Sequence, residues 1–184
     1  MMKKFLLLIL IVSFNISSAE QAITQWVYNT LERAQANLDK GNLEAAERIY
    51  YDYANDTWSS RSYDHFVILR TYAYFLISYD RNEEALKYLR QASLKRDMPP
   101  YDIFELNFTL GQVYYVNGDR ENAKKTLLKW VAIGEKNDLD LKPEGYAILA
   151  TIYAQDEEWG NALKFITLAI DNSYKFVEDW AQLK

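Results

Sequence analysis

The sequence predicts an all-α solenoid of four helix pairs followed by one further helix. Three columns of residues in phase predict it. Ala46, Ala85, Ala123 and Ala162 each precede a large apolar residue by four positions (Tyr50, Leu89, Leu127, Ile166), and they step by 39, 38 and 39 residues. Ala34, Ala73, Gly111 and Ala150 lie twelve residues earlier and keep the same steps. Gly41, Asp80, Gly118 and Glu157 fall seven after that second column, in the same register. A small residue, a turn residue and a second small residue at this spacing describe a helix, a tight turn and a returning helix. Small residues at the crossing let two backbones approach closely.

The elements follow in order. Residues 1–19 read as a signal peptide: Lys3 and Lys4, an apolar run from Phe5 to Val12, then Ser17-Ser18-Ala19 as a cleavage site before Glu20. The run meets Ser13 and Asn15 well short of the ~20 apolar residues that a membrane span needs, so no membrane insertion is expected after cleavage. Residues 20–184 form the repeat domain, with units of about 24–57, 62–96, 100–135 and 142–172. Asp56–Ser62, Arg96–Tyr101 and Asp138–Pro143 connect the units and hold all three prolines. Gly41 and Gly118 suit a left-handed helix end, and Asp80 tolerates one. Glu157 fits it less well, so the fourth turn is expected to be built differently. Residues 174–184 read as a separate terminal helix with Phe176, Trp180 and Leu183 on one face, docked as a cap on the fourth unit. The other reading is the start of a longer array, and self-association through this helix is a further possibility.

Leu110-Gly111-x2-Tyr114 with Gly118, Ala123 and Leu127 resembles a tetratricopeptide repeat (TPR), whose pattern is Trp-x2-Leu-Gly-x2-Tyr, then Gly, then Ala-x3-Phe. Leu149-Ala150-x2-Tyr153 with Ala162 and Ala169 matches nearly as well, and the first two units are weaker copies. The family period is 34, so each unit here is about four or five residues longer. The resemblance implies a right-handed superhelix whose first helices line a concave groove. Mapped onto this chain, the groove residues are Gln35 and Asp39; Arg70, Tyr74 and Ser78; Phe108, Gln112 and Tyr115; Thr151 and Gln155. Aromatic and amide groups there suit an extended peptide or a partner helix, although Phe108 and Tyr115 equally suit packing against the next repeat. Of the basic positions with which some members grip a C-terminal carboxylate, only Arg70 is matched. The long repeats, the leader and Leu127-Leu128-Lys129-Trp130 also resemble periplasmic TPR proteins that accompany TonB-type energy-transducing systems.

Little catalytic chemistry is visible. The chain has 184 residues, no cysteine, one histidine and a net charge of −5. That removes disulfides and thiolate sites and disfavours nucleic acid as a partner. With 49% hydrophobic residues the chain can bury a core. His65 lacks the companions that a triad or a metal site needs. Asp64 reads as helix N-terminal charge, and so do Glu83-Glu84 and Asp156-Glu157-Glu158. Asn137–Asp140 lacks the glycine and closing glutamate of a calcium loop. No cofactor or metal is expected. The sequence therefore points to a non-catalytic interaction scaffold in the periplasm, with a carboxylate-dependent envelope hydrolase as the alternative from another class; that enzyme needs two acids across a cleft.

Overall fold

Eight α-helices follow one another in the computed structural model, which describes residues 22–56 and 62–182, with side chains as far as Ser173. They are α1 (Gln25–Asp39), α2 (Leu43–Asn55), α3 (Ser62–Ser78), α4 (Asn82–Ser93), α5 (Pro100–Val116), α6 (Arg120–Asn137), α7 (Pro143–Gln155) and α8 (Trp159–Gln182). The expected leader, residues 1–19, lies outside the described residues, and so does most of the first connection. No strand occurs among the described residues, and none of the described helices is long and apolar enough to cross a membrane. The second column of small residues sits where the helices of a pair cross. Ala34 and Ala73 are buried, and a Cβ on Gly111 would stand 2.6 Å from Leu127 Cγ. The closeness of α5 and α6 thus depends on the missing side chain.

Each pair packs on the next, and the first helices of neighbouring units also touch directly, α1 with α3 and α5 with α7. No comparable contact joins the second helices, which places the first helices on the inner side of the stack. The core falls into two clusters along the chain, with Ile148 packed against both. Around α1–α4 it is built on Tyr50, Phe66, Leu69, Tyr72, Leu76 and Leu89. Towards α8 it gathers around Trp130, with Phe104, Phe108, Tyr146, Leu149 and Phe165. Ion pairs bind successive units near the turns. Arg81 Nη1 donates to Glu47 Oε1 at 2.6 Å, and Lys124 Nζ reaches Asp156 at 2.5 Å and Glu158 at 3.3 Å. Glu47 and Lys124 hold the same repeat position two units apart, as do Arg81 and Glu158, so the bridge recurs with its charges exchanged.

The four turns inside the pairs are built alike. The residue at φ > 0 is Gly41 (76°), Asp80 (60°), Gly118 (79°) and Glu157 (60°). After each, a backbone N–H returns to a carbonyl five residues back: Asn42 to Asn37, Arg81 to Leu76, Asp119 to Tyr114, Glu158 to Tyr153. This is the Schellman closure of a helix end. The expectation that Glu157 enforces a different fourth turn is therefore corrected. The closing hydrogen bonds and the packing of α7 on α8 hold Glu157 in a conformation that an L-residue reaches at a cost of about 1–2 kcal/mol. Glu157→Gly is accordingly expected to raise stability by about 0.5–1 kcal/mol, part of the relief being offset by the freer unfolded chain. Urea denaturation of the two proteins would measure it.

The C-terminal expectation is corrected too. The sequence suggested a helix ending near residue 172 and a separate capping helix over 174–184. Instead α8 runs unbroken from Trp159 to Gln182. Nothing between Asp171 and Lys175 stops a helix, since no glycine or proline occurs there. An uninterrupted helix cannot fold back on itself, so it does not cap its own outer face. The side chains of Phe176, Trp180 and Leu183 lie outside the described residues.

Candidate functional site

The inner face is made by α3, α5 and α7, and polar side chains stitch it together across the repeats. Asp102, in the first turn of α5, is buried. It accepts a hydrogen bond from the Tyr63 hydroxyl at 3.0 Å and one from Arg70 Nη1 at 2.5 Å. The Arg70 guanidinium also lies over the Phe66 ring, 5.2 Å from its centroid. Burial works against its charge, but Tyr74 and Asp102 hold its pKa above the ordinary arginine value. One turn further along, Thr109 Oγ1 donates to the Tyr74 hydroxyl at 3.4 Å. Between α5 and the start of α7, Lys142 Nζ bridges both Glu105 oxygens at 2.9 and 2.8 Å and covers the Phe108 ring at 4.6 Å. The same idea closes the first unit, where the Thr24 backbone N–H donates to Asp64 Oδ1 at 3.0 Å.

The carboxylates of this arrangement are already engaged. Each of the two carboxylates that α5 brings to the face, Asp102 and Glu105, is held by a cation from a neighbouring helix. A general base needs a free lone pair directed at a substrate. The Tyr74 and Tyr101 phenols stay protonated at neutral pH. Burial raises Tyr74, with Arg70 and the Thr109 bond opposing and Glu105 and Asp102 assisting. Burial also raises Tyr101, with Glu105 adding to it. What remains is a strip of neutral donors and acceptors beside aromatic rings, the chemistry suited to the backbone and side chains of another polypeptide.

The sequence-derived groove residues fare unequally. Arg70 and Tyr74 stand together on this face, but Arg70 is committed to Asp102. Gln112 and Tyr115 are half-buried along α5, and Tyr115 leans on the core. Phe108 is corrected: it is only 8% exposed and packs on Trp130 with centroids 5.1 Å apart, so it belongs to the core. Gln155 is exposed but held by Arg120 of α6 at 3.2 Å, beside the turn. Thr151 is exposed, its hydroxyl bonded to Ala147 O at 2.9 Å. On α1, Gln35 donates to Asp39 at 2.8 Å, and Ser78 closes on Phe75 O at 2.7 Å. Asp102, Tyr63, Glu105 and Lys142 were missed. A signal existed for the first two: Tyr63-Asp64 and Tyr101-Asp102 recur 38 residues apart, in step with the repeat.

Both ring nitrogens of His65 are engaged, and its setting makes it a pH probe of the packing between the first two units. Its Nε2–H donates to Ala54 O at 3.1 Å while Nδ1 accepts from Lys95 Nζ at 2.9 Å. An ammonium only donates, so this pairing requires the neutral ring with its proton on Nε2. Burial pushes the His65 pKa below 6.5 and Lys95 pushes the same way, against the Ala54 carbonyl and Asp56. The folded protein thus binds fewer protons here than the unfolded chain, and stability falls as pH drops below about 6.5. Thermal melts between pH 7.5 and 5 should show this slope, and His65→Gln should flatten it.

No protein-family model matches the chain. It is 29% identical over 118 residues to pre-mRNA-splicing factor 6 of Saccharomyces cerevisiae, a match covering 58% of this chain and 11% of that protein. The chain thus spans about a tenth of the length of that curated relative. Its fold is similar to that in the crystal structure of MamA, with a TM-score of 0.62, 18% identity, and coverage of 83% of this chain and 81% of that one. Paired helices in four like units, a repeated left-handed turn and this structural likeness make the chain a TPR-like helical-repeat solenoid.

Proposed function

We propose that the chain is a non-catalytic scaffold of the bacterial periplasm that holds an extended peptide or a helix of another protein along the inner face of α3, α5 and α7. The observation that carries this is the row of Tyr74, Gln112 and Tyr115 beside the exposed Tyr101, on a face whose carboxylates are already neutralised. Rings with an apolar body and a polar tip are the side chains that most often anchor a protein interface. The periplasmic address rests on the leader read from residues 1–19, and mature protein beginning at Glu20 would support it. Recovery of the uncleaved chain in the inner membrane would contradict it. The likeness to TonB-associated proteins loses one support, because Leu127 and Trp130 are fully buried and packing accounts for that run.

Arg70→Glu is a poor test, since it would set a second acid against Asp102. Gln112→Arg with Thr151→Arg is cleaner, because it fills the face with bulk and charge from positions outside the core. Capture of a partner from solubilised envelopes should be lost, while the melting curve stays within about 0.5 kcal/mol of wild type. Capture that persists with the fold intact would move the binding surface elsewhere.

A further inference from the structure

The outer face of α8 carries a row of apolar side chains that no part of the described chain covers. Trp159, Leu163, Ile166 and Ile170 are 66%, 67%, 41% and 49% exposed. They fall at intervals of four, three and four residues, which puts them on one stripe of the helix. The stripe lies between the buried side, Ala162, Phe165 and Ala169, and a polar flank of Lys164, Thr167 and Asp171. Ile166 holds the repeat position of Tyr50, Leu89 and Leu127, all buried, and Ile170 that of Ala54 and Val131, both buried, and of Ser93, which is exposed. Ile166 and Ile170 thus occupy positions that pack against a neighbouring helix in earlier units and are left uncovered among the described residues.

We propose that a second copy of this chain covers this row, its α8 packed antiparallel against the first across a two-fold axis. This inference is independent of the inner-face reading. Three observations select the second copy. The four-three-four spacing reads the same in both directions, so a reversed α8 presents its row at matching heights: Trp159 meets Ile170 and Leu163 meets Ile166, with the axis between Lys164 and Phe165. Reciprocal contact of this kind is the requirement of a closed two-fold interface. Charge permits the approach, because Trp159–Ser173 holds one lysine and one aspartate, whereas the whole chain carries −5. Area agrees as well. The patch is on the order of 400 Å², in the range where an exposed apolar patch marks an interaction surface. Doubled and with its polar flanks, it reaches about 1,000 Å², the lower end of specific interfaces.

The other end of the array does not fit this surface. On α1 the positions matching His65, Tyr72 and Phe75, which meet α2, are Trp26, Arg33 and Ala36. Trp26 packs on Tyr53 in a tilted arrangement with centroids 4.7 Å apart, while Arg33 and Ala36 are exposed. Head-to-tail stacking would lay the Arg33 guanidinium on Leu163 and Ile166, a charge set against an apolar row. Apolar face against apolar face closes the assembly at two copies.

Sedimentation equilibrium of the purified chain from about 1 to 200 μM, a range suited to an interface of this size, should show the average mass rising towards twice that of the chain. Leu163→Glu with Ile166→Glu should hold it at one chain mass over the same range, with an unchanged circular dichroism spectrum, since both positions are exposed. The absence of native cysteine makes single cysteines clean reporters of orientation. With a short bis-maleimide, Leu163→Cys should cross-link to a dimer. Ile170→Cys should not, because the two copies of residue 170 lie about 16 Å apart along antiparallel helices at 1.5 Å per residue. A monomeric wild type at the highest concentration would overturn the proposal and leave the face to a different protein. A glutamate variant that still dimerises, or equal cross-linking at both positions, would overturn it too.

Discussion

Trp130→Ala is expected to cost about 3–5 kcal/mol, the range for removing a large aromatic from a packed site. Trp130 is fully buried on α6, and its ring meets those of Phe104, Phe108 and Tyr146 with centroids 5.6, 5.1 and 5.7 Å apart. The surroundings are shaped to it, since a Cβ on Gly145 would stand 2.4 Å from the indole. Three helices, α5, α6 and α7, converge on this one side chain, so a cavity here loosens the junction of the third and fourth units. In a stack where each unit leans on its neighbours, the loss is felt first beside the cavity. Hydrogen exchange should therefore quicken in α6, α7 and α8 while α1–α4 keep their protection. Trp130→Phe supplies the control. The indole Nε1 has no hydrogen-bond partner in the structure, so phenylalanine forfeits volume but no polar contact, and should cost clearly less than alanine.

Asp102→Ala is expected to be comparably damaging, at about 3–5 kcal/mol, for an electrostatic reason. Removing the carboxylate strands the largely buried Arg70 guanidinium and takes away the acceptor of Tyr63. Breaking one half of a buried ion pair costs far more than removing both, because the remaining charge has lost its compensation. The double variant Arg70→Met with Asp102→Leu should recover most of the lost stability. Chemical denaturation of Arg70→Met, Asp102→Leu and the double variant closes the cycle. A coupling energy of about 2 kcal/mol or more is expected, and a sum of independent effects would show that the pair is solvated.

The architecture was legible because the repeat writes each unit several times, and each copy corrects the reading of the others. Small residues at the crossings and turn formers seven positions later mark where the two helices of each pair meet and turn. The fourth turn was misjudged from the one feature that differs, the identity of Glu157, whereas the closing hydrogen bonds and the packing around it set its conformation. The C-terminal helix was misjudged because a helix period says nothing about where a helix stops; continuity from Asp171 to Lys175 needed only the absence of a breaker. The inner face was half legible. A family-like position identifies Arg70 and Tyr74, but Asp102, Glu105 and Lys142 act through pairs that form only when successive units stack. Phe108 shows the converse: its place in the period suits both a groove and a core, and the bulk of Trp130 drew it inward.

The central claim is that the inner face of the first helices takes the partner protein. A photo-reactive amino acid placed in cells at Gln112, and in a second strain at the outward-facing Lys129 of α6, tests it directly. Irradiation should join a partner protein to the chain from position 112 and leave position 129 without a product. Cross-linking from 129 with none from 112 would contradict the account.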